Sequence, residues 1–250
     1  MRLIRYVVDE SKCTNCNICK SIVQCPSPDR CIGCSSCYLS CPNEAIVPVP
    51  APDSELRKLT KIIVDHVFFL VPEYTTVKNA LELIGYRFSR FPQKNAIFSP
   101  CETGGCYSCA VIIDGELKPS CHTAVKPGMR IETNVENIEP LRIVEGFQPH
   151  PVGGVGTPYW LKNYSYYIEV ACFSAGCNLR CPTCQNFLVT YNSSLKPMTP
   201  REAAKLLSWY RRRYGVDRMA ISGGDPTINR RWLIQFFEEL KKLNPDKKAR

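Results

Sequence analysis

Sixteen cysteines gathered in three clumps constrain this 250-residue chain more than any other feature of it. Eight fall within residues 13–41, four within 101–121 and four within 172–184, with none between. The first ten residues, Met1 to Glu10, carry neither the apolar run nor the small-residue cleavage site of a secretory signal. A reducing, cytoplasmic setting is therefore expected, where thiols serve as metal ligands or catalysts more often than as disulfides. Three clumps predict three metal modules, and the length has room for them as small domains. No run of about 18 consecutive apolar residues occurs, so no membrane span is expected.

The first clump is an internal repeat: Cys13-x2-Cys16-x2-Cys19-x5-Cys25-Pro26, then Cys31-x2-Cys34-x2-Cys37-x3-Cys41-Pro42. Two-residue gaps let three thiolates converge from one tight loop, and proline turns the chain away after the fourth. With Cys31-Ile-Gly-Cys34 and Cys41-Pro-Asn-Glu-Ala-Ile46, the segment resembles a bacterial-type ferredoxin with two [4Fe–4S] clusters. The resemblance implies that Cys13, Cys16, Cys19 and Cys41 hold one cluster and that Cys25, Cys31, Cys34 and Cys37 hold the second. Repeated C-x2-C is also zinc language, so a pair of zinc sites is the lesser alternative. Pro48, Pro50 and Pro52 read as a stiff extended spacer that closes a domain over 1–50.

In the second clump, Cys101-x4-Cys106-x2-Cys109-x11-Cys121 has plant-type [2Fe–2S] spacing. Gly104 and Gly105 permit a loop wrapped closely around a small cluster. Lys61–Val64 and Val67–Leu70 read as strands. Thr76–Leu83 reads as a helix capped by Thr75 or Thr76, and Ala110–Ile113 as a strand entering an Asp114-Gly115 hairpin. This combination resembles the β-grasp [2Fe–2S] ferredoxins, and Cys101-Glu-Thr-Gly-Gly-Cys-Tyr-Ser-Cys109 is most similar to succinate dehydrogenase iron–sulfur subunits and molybdenum hydroxylases. A zinc knuckle is the alternative. Rieske ligation needs two histidines and this stretch has only His122, which is expected to hydrogen-bond or to lie at the surface. The domain is expected over 61–145, with linkers over 51–60 and 146–164, the latter holding a flexible Gly153–Pro158 joint.

The third clump follows an expected strand, Tyr166–Ala171. Cys177-x3-Cys181-x2-Cys184 supplies three thiolates for a [4Fe–4S] cluster and leaves one iron open, and open metal sites are the mark of chemistry. Thr199-Pro200 caps a helix to about Arg213, Asp217–Ser222 reads as the next strand, and Gly223-Gly-Asp-Pro-Thr227 follows its C-terminal end. Gly176-Cys-Asn-Leu-Arg-Cys-Pro-Thr-Cys-Gln-Asn186 resembles the radical S-adenosylmethionine (SAM) superfamily, in the branch of pyruvate formate-lyase activating enzyme. That resemblance implies SAM on the open iron and Gly223, Gly224 and Asp225 at its amino group, Asp225 standing where the superfamily has Glu. Thr183 stands where an aromatic residue usually precedes the third cysteine. Cys172 is left over, read as a core thiol or, less readily, a fourth ligand.

The expected fold is thus multidomain, α+β and then α/β: a bacterial-type ferredoxin, a β-grasp domain and, over 165–250, a radical SAM (βα) barrel left incomplete after about two units. The expected function is an iron–sulfur oxidoreductase whose ferredoxin clusters feed reductive cleavage of SAM to a 5′-deoxyadenosyl radical. An external donor protein or reductase would supply electrons, and the resemblance admits a protein substrate or a chain completing the barrel as a further partner. The alternative is a non-catalytic electron-transfer subunit with a remnant SAM segment. A net charge of +9 invites a nucleic-acid reading. Deprotonated ligands on four clusters bring about −7, leaving roughly +2, so no nucleic-acid partner is expected. Arg211–Arg213 and Lys247–Arg250 then read as solvated ends.

Overall fold

The computed structural model describes residues 4–51, 57–151 and 168–245. The expected Gly153–Pro158 joint, the start of the Tyr166 strand, Pro52 and the basic C-terminus lie outside these residues. No helix among the described residues is long and apolar enough to cross a membrane.

The first unit repeats itself in three dimensions. Strand β1 (Ile4–Val8) leads to a cysteine loop and one-turn helix α1 (Ile18–Ser21), then a second loop and helix α2 (Ser36–Leu39), and β2 (Ile46–Pro50) returns antiparallel to β1. The halves match residue for residue: Asn15 and Asn17 have φ of 55° and 63°, and their counterparts Gly33 and Ser35 have 73° and 62°. Left-handed residues at these positions curl each C-x2-C loop so that its N–H groups point inward as an anion-binding nest. Pro48 and Pro50, expected in a spacer, lie within β2 opposite Tyr6 and Ile4. Their shared parity lets both missing N–H groups face away from the partner strand, which is the one way a paired strand tolerates proline.

The second unit is a five-stranded sheet, order β4-β3-β9-β7-β8, built from β3 (Leu59–Val64), β4 (Val67–Pro72), β7 (Ala110–Ile113), β8 (Glu116–Pro119) and β9 (Arg130–Glu132). Two short strands, β5 (Phe88–Ser89) and β6 (Ile97–Phe98), pair beside it. The expected hairpin forms at Asp114-Gly115, with φ of 51° and 86°, and β3 and β4 form a second one at Asp65-His66, with φ of 46° and 69°. Asp65 is held by the Tyr86 hydroxyl (2.6 Å) and by Thr133. Helix α3 (Val77–Leu83) begins at Thr76, whose hydroxyl accepts from Asn79 N at 3.0 Å. It buries Val77, Ala80 and Leu81 against Ile62, Val64, Val111, Ile113 and Ile131, which fixes one flank of the Cys101–Cys121 loop.

The third unit has a three-stranded sheet, β10 (Val144–Pro151), β11 (Ile168–Ser174) and β12 (Met219–Gly223). Strand β11 is antiparallel to β10 and parallel to β12, and the crossover carries α4 (Phe187–Thr190) and α5 (Pro200–Tyr214). Helix α6 (Arg230–Leu243) follows. Thr199 and Glu202 form a reciprocal capping box with Pro200 at the first helical position, and Gly215 ends α5 in the left-handed region. Helices α5 and α6 bury Ala204, Leu207, Trp232 and Phe236 on Val170 and Cys172. The described strands form an open sheet and no closed barrel. Residues 144–151, the first two before and the other six within the expected 146–164 linker, are a strand because Val144 and Phe147 pack into this core and the backbone finds its ladder on β11.

Candidate metal centres

The described residues gather fifteen of the cysteines into four sets. Cys13, Cys16, Cys19 and Cys41 line one cavity of about 300 Å³ with Ile18, Pro42 and Ala45. Cys25, Cys31, Cys34 and Cys37 lie near enough to act on one another electrostatically. Burial pushes Cys34 up to about 11 and Cys37 up to about 12, the neighbouring thiols adding to the rise. The two sets interleave, Cys25 joining the second loop and Cys41 the first.

Cys101, Cys106, Cys109 and Cys121 are sealed, with between 1% and 3% of their surface exposed. Hydrogen bonds from Cys106 and Cys121 hold the Cys101 thiol far below its ordinary value, and one from Cys121 brings Cys109 to about 7. Burial drives Cys106 the other way, and the bonds to Cys101 and Cys109 do the same to Cys121. Such a site cannot carry four thiolates without a cation to balance them, and four sulfurs with metal chemistry are what an iron–sulfur centre requires.

Cys177, Cys181 and Cys184 form the fourth set, on a loop where Arg180 has φ of 52°. Like the two sets of the first unit and unlike the sealed one, it is partly exposed, with Cys181 exposed and the other two partly so, but it has three cysteines where each of those sets has four. Cys181 borders a cavity of about 580 Å³ that Cys41, Tyr38, Phe187 and Tyr191 also line. Cys172 stands apart, fully buried on β11 with its sulfur 3.8 Å from Ala220 O. Burial pushes its thiol far up, so it behaves as an apolar core group.

The donor sets fit iron–sulfur clusters in a second respect. Backbone N–H groups of Tyr6 and Gly33 both donate to Cys31 Sγ at 3.4 Å, Ala45 N to Cys41 Sγ at 3.2 Å, Thr103 N to Cys101 Sγ at 3.5 Å, Ser108 N to Cys106 Sγ at 3.5 Å and Leu179 N to Cys177 Sγ at 3.4 Å. Such bonds stabilise thiolate sulfur and are one lever on cluster potential.

His122 sits half-buried at a junction. Its Nδ1 lies 2.8 Å from Ser36 Oγ, and its Nε2 lies 3.1 Å from Gln24 O and 3.3 Å from Ser193 Oγ. Both ring nitrogens are thus engaged by the first and third units, and burial lowers its pKa. Glu102, in the sealed loop, forms a second junction, with Lys78 at 2.6 Å, Arg90 at 2.9 Å and Arg180 of the open loop at 3.8 Å. Neither role has a local sequence signature.

The Gly223–Asp225 turn lies against the open loop. A Cβ on Gly223 would meet Ser174 backbone at 2.6 Å, and one on Gly224 would meet Gly176 O at 2.3 Å. Both glycines are therefore required by protein packing. Asp225 Oδ1 accepts from Thr227 N at 2.9 Å and from its hydroxyl at 2.6 Å. Asp225, Thr227 and Asn178 border a further cavity of about 620 Å³.

Sealed and open thiol sets on ferredoxin-type units define an iron–sulfur electron-transfer protein with several clusters, and comparison with known proteins agrees. Residues 25–47 match a model of a 4Fe-4S binding domain, 57–136 one of a 2Fe-2S iron–sulfur cluster binding domain, and 168–249 one of a 4Fe-4S single cluster domain. The chain is 43% identical over 104 residues to an uncharacterized iron–sulfur protein of Methanocaldococcus jannaschii, covering 40% of this chain and 20% of that one. It is 43% identical over 60 residues to the hydrogen cyanide synthase subunit HcnA of Pseudomonas aeruginosa, covering 23% of this chain and 58% of the subunit. The matched segments thus span a fifth and under three fifths of these relatives.

Proposed function

We propose that Cys13, Cys16, Cys19 and Cys41 hold one [4Fe–4S] cluster, Cys25, Cys31, Cys34 and Cys37 a second, and Cys101, Cys106, Cys109 and Cys121 a [2Fe–2S] cluster. These closed centres, in domains over 1–50 and 61–145, supply electrons to a third [4Fe–4S] cluster on Cys177, Cys181 and Cys184 in the domain over 165–250. The observation that carries this reading is the number of thiols in the last set: three beside a cavity where the other sets have four, with the remaining cysteine, Cys172, committed to the core. A cluster with one iron free of protein thiolate supplies a binding position for SAM and one electron for its cleavage to a 5′-deoxyadenosyl radical. This chain's own part is to hold that cluster at the end of β11, to set the Gly223–Asp225 turn against it, and to bring the Cys41 loop to the same cavity, so that an electron need not cross open solvent. An external donor protein or reductase loads the closed clusters, and a protein substrate or a chain completing the barrel acts at the open one.

Anaerobically reconstituted protein with reductant and SAM is expected to yield 5′-deoxyadenosine, and Cys181→Ala to yield none. Wild-type protein that holds all its iron yet makes no product would overturn the catalytic part. A second reading has its own support: Asp225 spends one carboxylate oxygen on Thr227, and Gly223 and Gly224 are explained by packing. On it the third unit is an electron-transfer platform without SAM chemistry, and full iron with no product is its expected outcome.

A further inference from the structure

Arg142 is fully buried, and its guanidinium is bound by main-chain carbonyls. Nε and Nη2 donate to Ala175 O at 3.3 and 2.9 Å, Nη2 also to Asp225 O at 2.7 Å, and Nη1 to Pro226 O at 2.6 Å. Carbonyl dipoles solvate a cation but do not neutralise it, and a buried charge without a counter-ion is costly. No carboxylate pairs with Arg142 among the described residues; the carboxylate of Asp225 is turned to Thr227. Burial pulls the guanidinium below its usual range, and Cys106 and then Cys101, as ligating thiolates, would offset that most, ahead of Asp225.

The backbone fixes this proximity. Ile143 N donates to Gly105 O at 3.1 Å, and Asn229 Nδ2 ties Cys106 O (2.7 Å) to Leu141 O (3.2 Å). Gly176, next to the carbonyl that Arg142 grips, touches Cys106 so closely that a Cβ there would lie 2.5 Å from Cys106 Cβ.

We infer that Arg142 is the internal counter-charge of the [2Fe–2S] centre, raising its reduction potential while its fork clamps the two loops, Ala175–Gly176 and Asp225–Pro226, that frame the open cysteine set. The inference rests on the reading of Cys101, Cys106, Cys109 and Cys121 as [2Fe–2S] ligands. Reduction adds one negative charge to the cluster, so a fixed cation beside it favours the reduced form. Arg142 is a positioning and tuning residue, and the electron is supplied by the external donor.

The test is a potentiometric titration of full-length reconstituted protein, followed by the electron paramagnetic resonance signal of the reduced [2Fe–2S] cluster. Arg142→Gln, which removes the charge, is expected to shift the reduced-to-oxidised equilibrium at least tenfold toward oxidised, 59 mV for one electron. Arg142→Lys, which keeps the charge and loses the fork, is expected to stay within about threefold of wild type, and the two [4Fe–4S] potentials of the first unit serve as controls. A [2Fe–2S] cluster that assembles in Arg142→Lys but not in Arg142→Gln also supports the counter-charge. Unchanged potential in Arg142→Gln, equal shifts in both variants, or assembly in neither would overturn it. Wild-type protein without a [2Fe–2S] signal would overturn the ligand reading as well, which separates the two failures.

Discussion

The Cys101–Cys121 loop touches the segment that leads into the Cys177–Cys184 loop, Gly105 against Ala175 and Gly176 against Cys106, yet the two loops are built on opposite plans. The first closes four thiols beneath a sheet, a helix and a short turn. The second presents three at the rim of a cavity, on a loop held by Arg180 and by Asn186, whose amide reaches Gly223 O at 3.2 Å. A sealed set excludes water and ligands, which suits a centre that gains and loses electrons unchanged. An open set leaves a coordination position, which suits chemistry. On the proposed function, the contact between them is where a carrier would hand its electron to a site that uses it.

The largest expected effect separates the two loops by iron content. With all clusters the chain should hold about 14 irons, and Cys181→Ala should lose about four of them while keeping the [2Fe–2S] spectrum. Cys109→Ala should lose about two and lower the melting temperature more, because it empties a sealed site rather than a rim. Equal loss of stability in both variants, measured by thermal denaturation under anaerobic conditions, would break the contrast.

Next in size is the glycine at the contact. Gly176 has φ of 84° and no room for a Cβ, so Gly176→Ala should cost roughly 3 kcal/mol, strain and collision with Cys106 adding together. Gly215 has φ of 61° but open space around it, so Gly215→Ala should cost only about 1 kcal/mol. Denaturant titration of both variants reads the difference.

Proton linkage sharpens the comparison further. Cys34 and Cys37, raised to about 11 and about 12, hold their protons at neutral pH in the metal-free chain. Iron must displace those protons, so affinity at that site rises with pH by up to about tenfold per unit for each proton released. The sealed set holds Cys109 near 7 and Cys101 below its ordinary value, but Cys106 and Cys121 are raised well above theirs, so it too must release protons on loading and its affinity also rises with pH. Mössbauer spectra of protein reconstituted from mildly acidic to mildly alkaline pH would show both the [4Fe–4S] and the [2Fe–2S] fractions climbing, and a fraction indifferent to pH would contradict the proton release at that site. The smallest effect is at the α5 cap, where Thr199→Ala should cost about 1 kcal/mol without changing any cluster signal.

What the sequence makes legible is what depends on local spacing. Cysteine intervals, the Thr76 and Thr199 caps, the Asp114-Gly115 hairpin and the β3, β4 and β7 runs each draw on a few neighbouring residues, and each element stands where it was expected. Strand β10 was not legible: Glu145-Gly-Phe-Gln-Pro-His-Pro151 holds glycine and two prolines, and its strand form comes from pairing with β11. Arg142 and the partners of His122 were hidden for a related reason. The partners of both residues lie 33 to 98 residues away, so nothing in the neighbouring sequence announces them. Gly223 and Gly224 show the converse, since a motif with a ligand-binding reading has a sufficient explanation in packing.

The central claim is that three centres are closed and the fourth is open, and adding SAM to the dithionite-reduced protein tests it most directly. Electron paramagnetic resonance spectra recorded with and without SAM should show one [4Fe–4S] signal change while the [2Fe–2S] and the other two [4Fe–4S] signals stay fixed, and the responsive signal should be missing in Cys181→Ala. Four clusters whose spectra are all indifferent to SAM would contradict the account.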